Sequence, residues 1–374
     1  MNFDYTDEQK ALKDEARRFL ADRAPLAAAR AVLEADSGLD ARLWREIGDL
    51  GWCGAAIPEA YGGLGMDYVN LCALAEELGR SLAPVPFASS VYLFAEALLV
   101  AAPEPVKHEL LPAVASGALI GALAWAEGPG ALDPDQLGAV FAGGALSGVK
   151  SPVIDGLTAD RAVVLARDEA GAPGLYLVDL AGPGVARTAV STLDPTRGAA
   201  AITFTKAPAT PLTEPGAGRE ALARLFDRAA VLYGFEQLGG ADRCLEMARD
   251  YALERYTFGR PIGSYQAIKH KLADVYVGNA VARANCYYGA WALSTGAPEL
   301  PLAAASARIA ASAAYWMASK ENIQTHGGFG FTWEADCHLF YRRARHLGLA
   351  LGAPRLWKRE LAHRLDAADR EQAA

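Results

Sequence analysis

Two long helical patterns meet in the stretch Arg249-Asp-Tyr-Ala-Leu-Glu-Arg-Tyr-Thr-Phe-Gly-Arg-Pro-Ile-Gly-Ser-Tyr-Gln266. Glycines and a proline end the first helix here, because proline lacks an amide donor and glycine tolerates a tight bend. A sharp turn is therefore predicted, and it presents the guanidinium of Arg255, the ring of Phe258 and the carboxamide of Gln266 together. These groups suit a pyrophosphate next to an aromatic base, since a guanidinium pairs with phosphate in bidentate fashion. Taken alone, the stretch fits a helix hairpin with an ordinary surface arginine equally well.

A second motif, Gln324-Thr-His-Gly-Gly-Phe-Gly-Phe-Thr-Trp-Glu334, follows a later helical pattern. Its glycines let the backbone approach a phosphate or ribose without a Cβ in the way, and Gln324 at the helix end can reach the same ligand. By itself such a motif more often indicates a helix C-cap and loop. Its position two helices after the Arg255 motif strengthens the prediction of a shared nucleotide site.

The composition excludes several classes of function. The chain has 374 residues, a formal net charge of -8 and a pI near 5.4. Nucleic acid and anionic membranes both attract a basic face, so neither is expected as a partner. No basic region precedes an apolar run at the N-terminus and no stretch of about 18 uncharged apolar residues occurs, so a soluble, cytoplasmic protein is expected. The cysteines are odd in number and widely spaced, which predicts buried reduced thiols and no zinc site.

Local patterns divide the chain into three segments. Thr6-Asp-Glu-Gln9 has the form of a capping box and opens an N-terminal α-helical domain, residues 1–120. Short alternating or β-branched runs punctuated by Gly, Pro and Asp predict a small antiparallel β domain, residues 121–212. The runs are Arg161 to Arg167, Gly174 to Leu180, Val185 to Val190 and Ala201 to Lys206. Residues 213–374 return to helical periodicity, with helices predicted at about 218–256, 265–295, 299–325 and 335–365, the last with a break at Gly352 to Pro354. Their short connections predict an antiparallel four-helix bundle. The predicted fold class is therefore mainly α with a middle β domain.

The early stretch Pro58-Glu-Ala-Tyr-Gly-Gly-Leu-Gly65 adds a third motif. Together with the two C-terminal motifs and the order of the domains, it makes essentially the whole chain resemble the acyl-CoA dehydrogenase family. The resemblance implies FAD bound at a subunit interface, where the C-terminal motifs of one subunit hold the ADP half of a flavin that lies mostly in its neighbour. It implies that Arg255 pairs with the pyrophosphate, that Phe258 and Ile262 pack near the adenine, and that Gln266, Gln324, Gly327 and Gly328 complete the nucleotide site.

The motifs around the flavin ring match the family less well. Family members usually carry a Thr-Glu-Pro stretch, a Gly-Ser-Asp triplet and a later Lys-Trp-Ile-Thr-like strand. The corresponding stretches here are Ala126-Glu-Gly128 and Lys150-Ser-Pro-Val153, both without the usual threonine, and the triplet is unrecognisable. This departure calls into question any hydroxyl and amide contacts to a flavin of this subunit's own.

The catalytic base of the family is missing. The family reaction removes an α-proton from an acyl-CoA thioester while the β-hydrogen leaves as hydride, and so weak a carbon acid needs a positioned, desolvated carboxylate. The two family positions of that carboxylate correspond to Leu351 and Ala229, both aliphatic, so no catalytic residue is assigned. Asp227 lies on the opposite side of the helix from Ala229, and Glu236 returns to its face but lies about 10 Å along the axis.

The other titratable groups near the second motif are interpreted as structural. His326, His338 and His346 are taken as packing or surface residues without zinc-ligand geometry. Arg342, Arg343 and Arg345 are interpreted as a solvated basic face, with a contact of one of them to the CoA phosphates or to an acidic partner subunit as the alternative.

Four functions remain open. The first is a base-lacking, FAD-sharing subunit of a heteromeric acyl-CoA dehydrogenase, as in bacterial steroid or dicarboxylate side-chain breakdown. Its substrate is an acyl-CoA, its partner a homologous subunit that carries the Glu, and its electron acceptor an electron-transfer flavoprotein. The second is a self-sufficient dehydrogenase with a displaced base such as Glu236. The third, a flavin-free or nucleic-acid-associated scaffold, is disfavoured by the charge and the retained motifs; the fourth, a flavin monooxygenase of the same fold, needs no α-proton base.

Overall fold

The computed structural model describes residues 5–128, 134 and 136–373, and the chain forms two compact units. The bundle unit comprises Met1–Arg30, Tyr68–Ala83 and Ala230–Ala374. The sheet unit comprises Ala31–Asp67 and Pro84–Ala229. These units group the chain differently from the segments 1–120, 121–212 and 213–374, whose bounds remain a prediction.

Helices dominate the described residues, which confirms the predicted mainly α class. They are α1 (Asp7–Arg23), α2 (Leu26–Ala35), α3 (Ala41–Asp49), α4 (Tyr68–Ser81), α5 (Glu96–Ala101), α6 (Glu104–Ala115), α7 (Gly218–Glu254), α8 (Gln266–Thr295), α9 (Leu300–His326), α10 (Cys337–Leu349) and α11 (Pro354–Ala373). The capping box is confirmed at α1. There the Thr6 hydroxyl accepts a hydrogen bond from the Gln9 amide at 3.2 Å, and the Gln9 side chain accepts one from the Thr6 amide at 2.9 Å.

Helices α4 and α7 of the bundle unit cross in direct backbone contact at two glycines. A Cβ added to Gly79 would lie 1.8 Å from the carbonyl oxygen of Glu236, and one added to Gly239 would lie 1.7 Å from that of Glu76. No side chain fits at either position, so the packing requires both glycines. This crossing fixes α7, whose C-terminal end carries the candidate site.

A buried carboxylate on α4 ties the crossing to two further helices. Glu76 pairs with Lys13 of α1 at 2.6 Å and with Arg283 of α8 at 2.9 Å, and it accepts a hydrogen bond from the Tyr5 hydroxyl at 3.1 Å. Arg283 also pairs with Asp242 of α7. Burial alone would raise the pKa of Glu76, but the charges of Lys13 and Arg283 outweigh it and lower the pKa to about 2.

We expect the Glu76 network to make the bundle unit sensitive to acid. Because the pKa of Glu76 is lowered in the folded state, its stabilising contribution is complete above about pH 4.5, the ordinary value, and is lost as the pH falls toward about 2. The loss is of the order of 3 kcal/mol at most. Urea unfolding measured between these pH values will fall less steeply for Glu76→Gln than for the wild type. Glu15→Gln, which removes an exposed carboxylate of α1, is the control; parallel curves for Glu76→Gln and the wild type would contradict the assignment.

The sheet unit is organised around a ring of strands. The strands are β1 (Gly121–Ala124), β2 (Val140–Ala142), β3 (Ala145–Ile154), β4 (Arg161–Arg167), β5 (Pro173–Asp179), β6 (Val185–Ala189) and β7 (Ala199–Pro211). The pairings β4–β5, β5–β7, β7–β3, β3–β2 and β2–β4 close the ring, while β1 joins β4 and β6 joins β7. The middle β domain is confirmed, but the sheet is mixed rather than purely antiparallel, because β4 runs parallel to β1 and β2. The β2–β3 hairpin supplies the long connection that the parallel β1–β4 pair needs.

Across the described ranges, no helix is both long and apolar enough to cross a membrane. In the same ranges, no three His, Cys, Asp or Glu side chains converge as metal ligands. All the cysteines are buried free thiols, as the sequence predicts.

Candidate functional site

The end of α7 leads into a short β-hairpin. Strand β8 (Tyr256–Thr257) pairs with β9 (Arg260–Pro261) in antiparallel fashion. Phe258 and Gly259 form the two-residue turn between them, with φ angles of +53° and +78°. Two positive φ angles are typical of a type I′ turn, in which a bulky first residue is strained. The predicted sharp turn is therefore present, and Phe258 occupies it at a conformational cost.

Arg255 and Phe258 project outward from this hairpin. The Phe258 side chain is 93% exposed. The backbone of Arg255 is fixed on both sides, because its amide donates to the Tyr251 carbonyl at 2.8 Å and its carbonyl accepts from the Ile262 amide at 2.7 Å. Its guanidinium is exposed and forms no ion pair with an acidic group in the described part of the chain. A fixed backbone that carries a free cation and an uncovered ring is suited to a ligand or a second chain.

The neighbouring Arg260 is arranged differently. Its guanidinium stacks on the Tyr265 ring at 4.0 Å from the centroid, and the Tyr265 hydroxyl donates to the Thr257 carbonyl at 2.9 Å. These contacts brace the hairpin from within. Of the two arginines in the hairpin, Arg255 is therefore the better placed to bind an anion. The bracing role of Tyr265 was not foreseen from the sequence, although an aromatic residue close to an arginine is a recognisable signal.

The glycine motif forms the turn that ends α9. Gly327 has φ of +62° and ψ of -139°, a conformation that is nearly restricted to glycine. Gly328 has an ordinary helical conformation, and a Cβ added there would meet no atom within 4 Å. Nothing in the described chain therefore requires glycine at position 328. A ligand pressed against the backbone would require it.

The two motifs meet at one end of the bundle unit. The ring of Tyr251, one turn before Arg255, stacks on the ring of His326 at 4.2 Å with an interplanar angle of 27°. His326 is held in turn by a hydrogen-bond contact of 2.8 Å between its Nδ1 and the Asn322 carbonyl. The hairpin and the glycine turn are thus fixed relative to each other through stacked rings. His326 is a packing residue, as its sequence context indicates, but one that joins the candidate site.

The remaining predicted site residues lie on the same elements. Gln266 is the first residue of α8 and is exposed, and Gln324 is exposed in the last turn of α9. Ile262 is half-buried in the short turn after β9. The hairpin and the ends of α8 and α9 therefore present one cation, one uncovered ring, two carboxamides and two open glycines. Groups of these kinds are suited to binding a nucleotide diphosphate.

The two positions of the family base are buried and aliphatic. Leu351 is 3% exposed and follows α10, where its carbonyl accepts a hydrogen bond from the Trp357 indole at 2.9 Å. Ala229 is fully buried in α7. Neither side chain can take a proton.

Glu236, the candidate for a displaced base, is held by a buried cation. Its Oε1 lies 3.6 Å from Nη1 of Arg343, and both side chains are buried. The expectation that Arg343 belongs to a solvated basic face is wrong, because it shares its face of α10 with Leu339, Phe340 and Leu347, which pack into the bundle core. A buried cation favours the charged form of a neighbouring carboxylate and thereby weakens it as a base.

The two stretches that correspond to the flavin-ring motifs lie together in the sheet unit. The Ser151 amide donates to the Ala126 carbonyl at 2.9 Å, and Glu127 forms an ion pair of 2.6 Å with Lys150. Burial opposes the ionisation of Glu127, but hydrogen bonds from Lys150 and from the Gly138 and Ala139 amides outweigh it, so its pKa lies below the ordinary value. Burial likewise lowers the pKa of Lys150. The ion pair therefore engages the two charged side chains of these stretches with each other.

Family models identify both ends of the chain. Residues 6–118 match the acyl-CoA dehydrogenase N-terminal domain, and residues 216–365 match the acyl-CoA dehydrogenase C-terminal domain. The chain belongs to the acyl-CoA dehydrogenase family. The enzymes of this family are FAD-dependent oxidoreductases that act on CH–CH bonds of acyl-CoA thioesters. The resemblance read from the sequence motifs is thereby confirmed.

Relatives of the same family cover nearly the full length of the chain. The acyl-CoA dehydrogenase IpdE2 of Mycobacterium tuberculosis is 36% identical over 350 residues, which cover 93% of this chain and 94% of the relative. The solved structure of a variant of the Tcur3481-Tcur3483 steroid ACAD is 31% identical with a TM-score of 0.88, covering 98% of this chain and 99% of the matched chain. That of the ChsE4-ChsE5 complex from Mycobacterium tuberculosis is 27% identical with a TM-score of 0.87, covering 98% and 99%.

Proposed function

We propose that this acyl-CoA dehydrogenase family member is the base-lacking subunit of a heteromer and shares FAD with a homologous, Glu-carrying partner. The observation that carries the proposal is a contrast within the bundle unit. The hairpin and the ends of α8 and α9 present a surface cluster of groups suited to a nucleotide diphosphate, whereas Leu351, at one family position of the base, is aliphatic. Ala229, at the other position in the sheet unit, is aliphatic as well.

The residues of the surface cluster fit the ADP half of FAD. Arg255 would pair with the pyrophosphate, Phe258 and Ile262 would lie against the adenine, and Gln266 and Gln324 would donate to the nucleotide above the open backbone of Gly327 and Gly328. When bound, FAD supplies the acceptor for the hydride of the family reaction. Since Phe258 is 93% exposed, a nucleotide seated here is covered by this chain on one side only. A shared site, closed on the other side by a second chain, would account for this exposure.

Displacement of the base to Glu236 is disfavoured by its surroundings. The nearby Arg343 stabilises the carboxylate form at 3.6 Å, and both groups are buried. Proton abstraction requires a carboxylate that gains by protonation, usually one raised in pKa by burial without a paired cation. The pair is therefore better explained as part of the bundle core, and the self-sufficient dehydrogenase is the weaker alternative.

The partners follow from the same proposal. The substrate is an acyl-CoA bound at a site to which the partner contributes the Glu, and the electron acceptor is an electron-transfer flavoprotein. A steroid side chain is proposed as the acyl group, supported by the similarity to a steroid ACAD and to a two-component complex.

The stoichiometry of bound flavin tests the proposal. The chain is co-expressed with candidate homologous partners, and the FAD per chain is measured by absorbance after purification. If FAD is shared, the two chains will form a stable heteromer that retains more FAD per chain than this chain does alone. If the isolated chain forms a homo-oligomer with one tightly held FAD per subunit, the shared-site proposal is wrong.

A substitution at the hairpin tip is expected to separate nucleotide binding from folding. Because the Phe258 ring is 93% exposed and its φ is +53°, Phe258→Gly will leave the free energy of unfolding unchanged or raise it by about 1 kcal/mol. The same change removes the ring proposed to contact the adenine, so FAD affinity of the heteromer will fall roughly threefold to tenfold. Urea unfolding and FAD titration measure the two effects. Tyr276→Ala, which removes an exposed aromatic ring on α8, is the control for a general loss of exposed ring surface; an unaltered FAD affinity in Phe258→Gly would remove the ring from the site.

A further inference from the structure

A groove lies on the bundle unit between α9, α10 and α11, apart from the hairpin and the glycine turn. Its volume is about 210 Å³, and its walls are mostly apolar. Ile309 and Trp316 of α9 and Leu349 of α10 are the large apolar side chains that line it. The volume is below the roughly 300 to 1,000 Å³ that is common for drug-sized ligands, so the groove suits a small molecule rather than a nucleotide or CoA.

Two cations border this apolar space. Arg345 lies over the Trp316 ring, with its guanidinium carbon 4.7 Å from the centroid, and Lys358 of α11 lines the same groove. Neither forms an ion pair with an acidic residue in the described part of the chain. Two cations that border an apolar surface repel each other, and water solvates them poorly on the side that faces the groove. An anion bound between Arg345 and Lys358 would therefore be stabilised.

The first turn of α11 adds to the positive potential. The helix begins at Pro354, which lines the groove, and its first turn contains no acidic residue. A helix N-terminus carries a partial positive charge that Asp or Glu normally offsets. Here Arg355 and Lys358 lie near it instead. The helix terminus and both bordering cations thus favour the same kind of ligand group.

A glycine keeps the groove open. Gly348 lies within α10, lines the groove and does not have a positive φ. A Cβ added to it would meet no atom within 4 Å. Neither backbone conformation nor packing in the described chain requires glycine here, although glycine disfavours a helix relative to alanine. A glycine at position 348 is explained if the space above it is needed for a bound molecule.

The floor of the groove is polar at one point. Ser312 lines it, and its hydroxyl accepts a hydrogen bond from the Gln237 amide at 3.2 Å. The Gln237 carbonyl oxygen accepts one from Arg308 at 3.0 Å. Arg308 is buried, so its charge is weakly screened and adds to the potential above Ser312.

We propose that this groove binds a small amphipathic carboxylate. The carboxylate lies between Arg345 and Lys358, and the apolar body lies along Trp316, Ile309 and Leu349. The two parts of the ligand match the two parts of the groove, since cations border an apolar trough. This proposal does not depend on the proposed function, because none of these residues belongs to the nucleotide cluster.

Titration of the full chain with octanoate, and with octanol as its uncharged counterpart, tests the proposal by calorimetry. Octanoate is expected to bind about tenfold more tightly than octanol, because the carboxylate gains charge-assisted contacts. Lys358→Gln will remove most of that difference. Arg359→Gln, which removes the adjacent exposed charge of α11 outside the groove, will leave the affinity for octanoate within about twofold of the wild type.

A steric variant provides the second arm. Gly348→Leu fills the groove and will abolish octanoate binding, with circular dichroism and thermal unfolding used to verify folding. If Gly348→Leu does not fold, the Lys358→Gln comparison decides. Equal affinities for octanoate and octanol, or octanoate binding that survives in folded Gly348→Leu, would overturn the proposal. So would a failure of octanoate to bind the wild-type chain.

Discussion

This chain, purified without a partner, is expected to catalyse acyl-CoA-dependent reduction of an artificial electron acceptor roughly 10²- to 10⁴-fold more slowly than the assembled heteromer. That range is the rate enhancement that a positioned general base contributes. Leu351 and Ala229 hold no proton-accepting group, and Glu236 is paired with Arg343 at 3.6 Å. Single-turnover and steady-state dye reduction, with FAD supplied in excess, measure the difference. Excess FAD ensures that a low rate reflects the missing base rather than lost cofactor.

Robust turnover by the isolated chain, abolished by Glu236→Gln, would establish the displaced-base enzyme instead. The control must distinguish the loss of a catalytic base from a loss of folding stability. Removing one partner of a buried ion pair costs about 3 to 5 kcal/mol because the other charge stays buried. The double variant Glu236→Gln/Arg343→Gln removes both charges and is compared with each single variant by thermal unfolding. Under the proposal, a folded double variant assembled with the partner retains the activity of the heteromer.

A third outcome separates the dehydrogenase from a flavin monooxygenase of the same fold. That reaction needs no α-proton base, so the aliphatic Leu351 does not exclude it. Oxygen-dependent hydroxylation of a substrate by the isolated chain, with no need for a homologous partner, would favour the monooxygenase. Oxygen-independent dye reduction confined to the heteromer would favour the shared dehydrogenase.

Helical periodicity located the ends of the bundle helices within two residues because their apolar faces are long, except that α11 continues to Ala373, eight residues past the predicted end. The pattern predicted for residues 265–295 appears as α8 (Gln266–Thr295), and the break expected near Gly352 separates α10 from α11. The predicted end of α7 is two residues late, because Tyr256 pairs with Pro261 in the hairpin instead of continuing the helix. Helical periodicity does not reveal a short hairpin of this kind, so the end of the helix is predicted less accurately than its presence.

The strands were harder to read because several lack the alternation of a half-buried strand. The predicted runs match β4, β5 and β6 to within one residue, whereas β7 extends five residues past its predicted end and β1, β2 and β3 are not predicted. Strand β1, Gly-Ala-Leu-Ala, is buried at every position and therefore shows no period of two. Strand β3 has register irregularities against β7 between Leu146 and Gly148 and between Lys150 and Val153, which interrupt its pattern.

The nucleotide motifs were visible in the sequence because they are local, but the contacts that join them are not. Tyr251 and His326 are 75 positions apart in the chain, and only the fold brings their rings within 4.2 Å. The burial of Arg343 was missed for the same reason. Its partner Glu236 lies on another helix, so neighbouring arginines suggested a solvated face.

Arg255→Ala is expected to lower the FAD affinity of the heteromer by roughly ten- to a hundredfold, because a charge-assisted contact to a phosphate contributes about 1.5 to 3 kcal/mol. The guanidinium is exposed on a backbone fixed by hydrogen bonds of 2.8 Å and 2.7 Å, so its loss should not disturb the hairpin. Arg255→Lys will restore only part of the affinity, since an ammonium group does not present two parallel donors to a pyrophosphate. Higher salt will reduce the difference between the wild type and Arg255→Ala, because an exposed contact is screened.

The matched control for this substitution is Arg249→Ala, which removes the same charge from α7 one and a half turns earlier. Arg249 is exposed and already pairs with Asp250 at 2.6 Å, so it is not available to a phosphate in the same way. FAD titration of heteromers that contain the wild-type chain, Arg255→Ala, Arg255→Lys or Arg249→Ala, all at one ionic strength, therefore distinguishes a specific contact from a change in net charge. Equal loss of affinity in Arg249→Ala and Arg255→Ala would reduce the effect to general electrostatics, and full retention of FAD by Arg255→Ala would remove the hairpin from the nucleotide site. A loss confined to Arg255→Ala and partly restored by lysine is the result that a pyrophosphate clamp requires, because only that clamp depends on both the position and the fork geometry of the guanidinium.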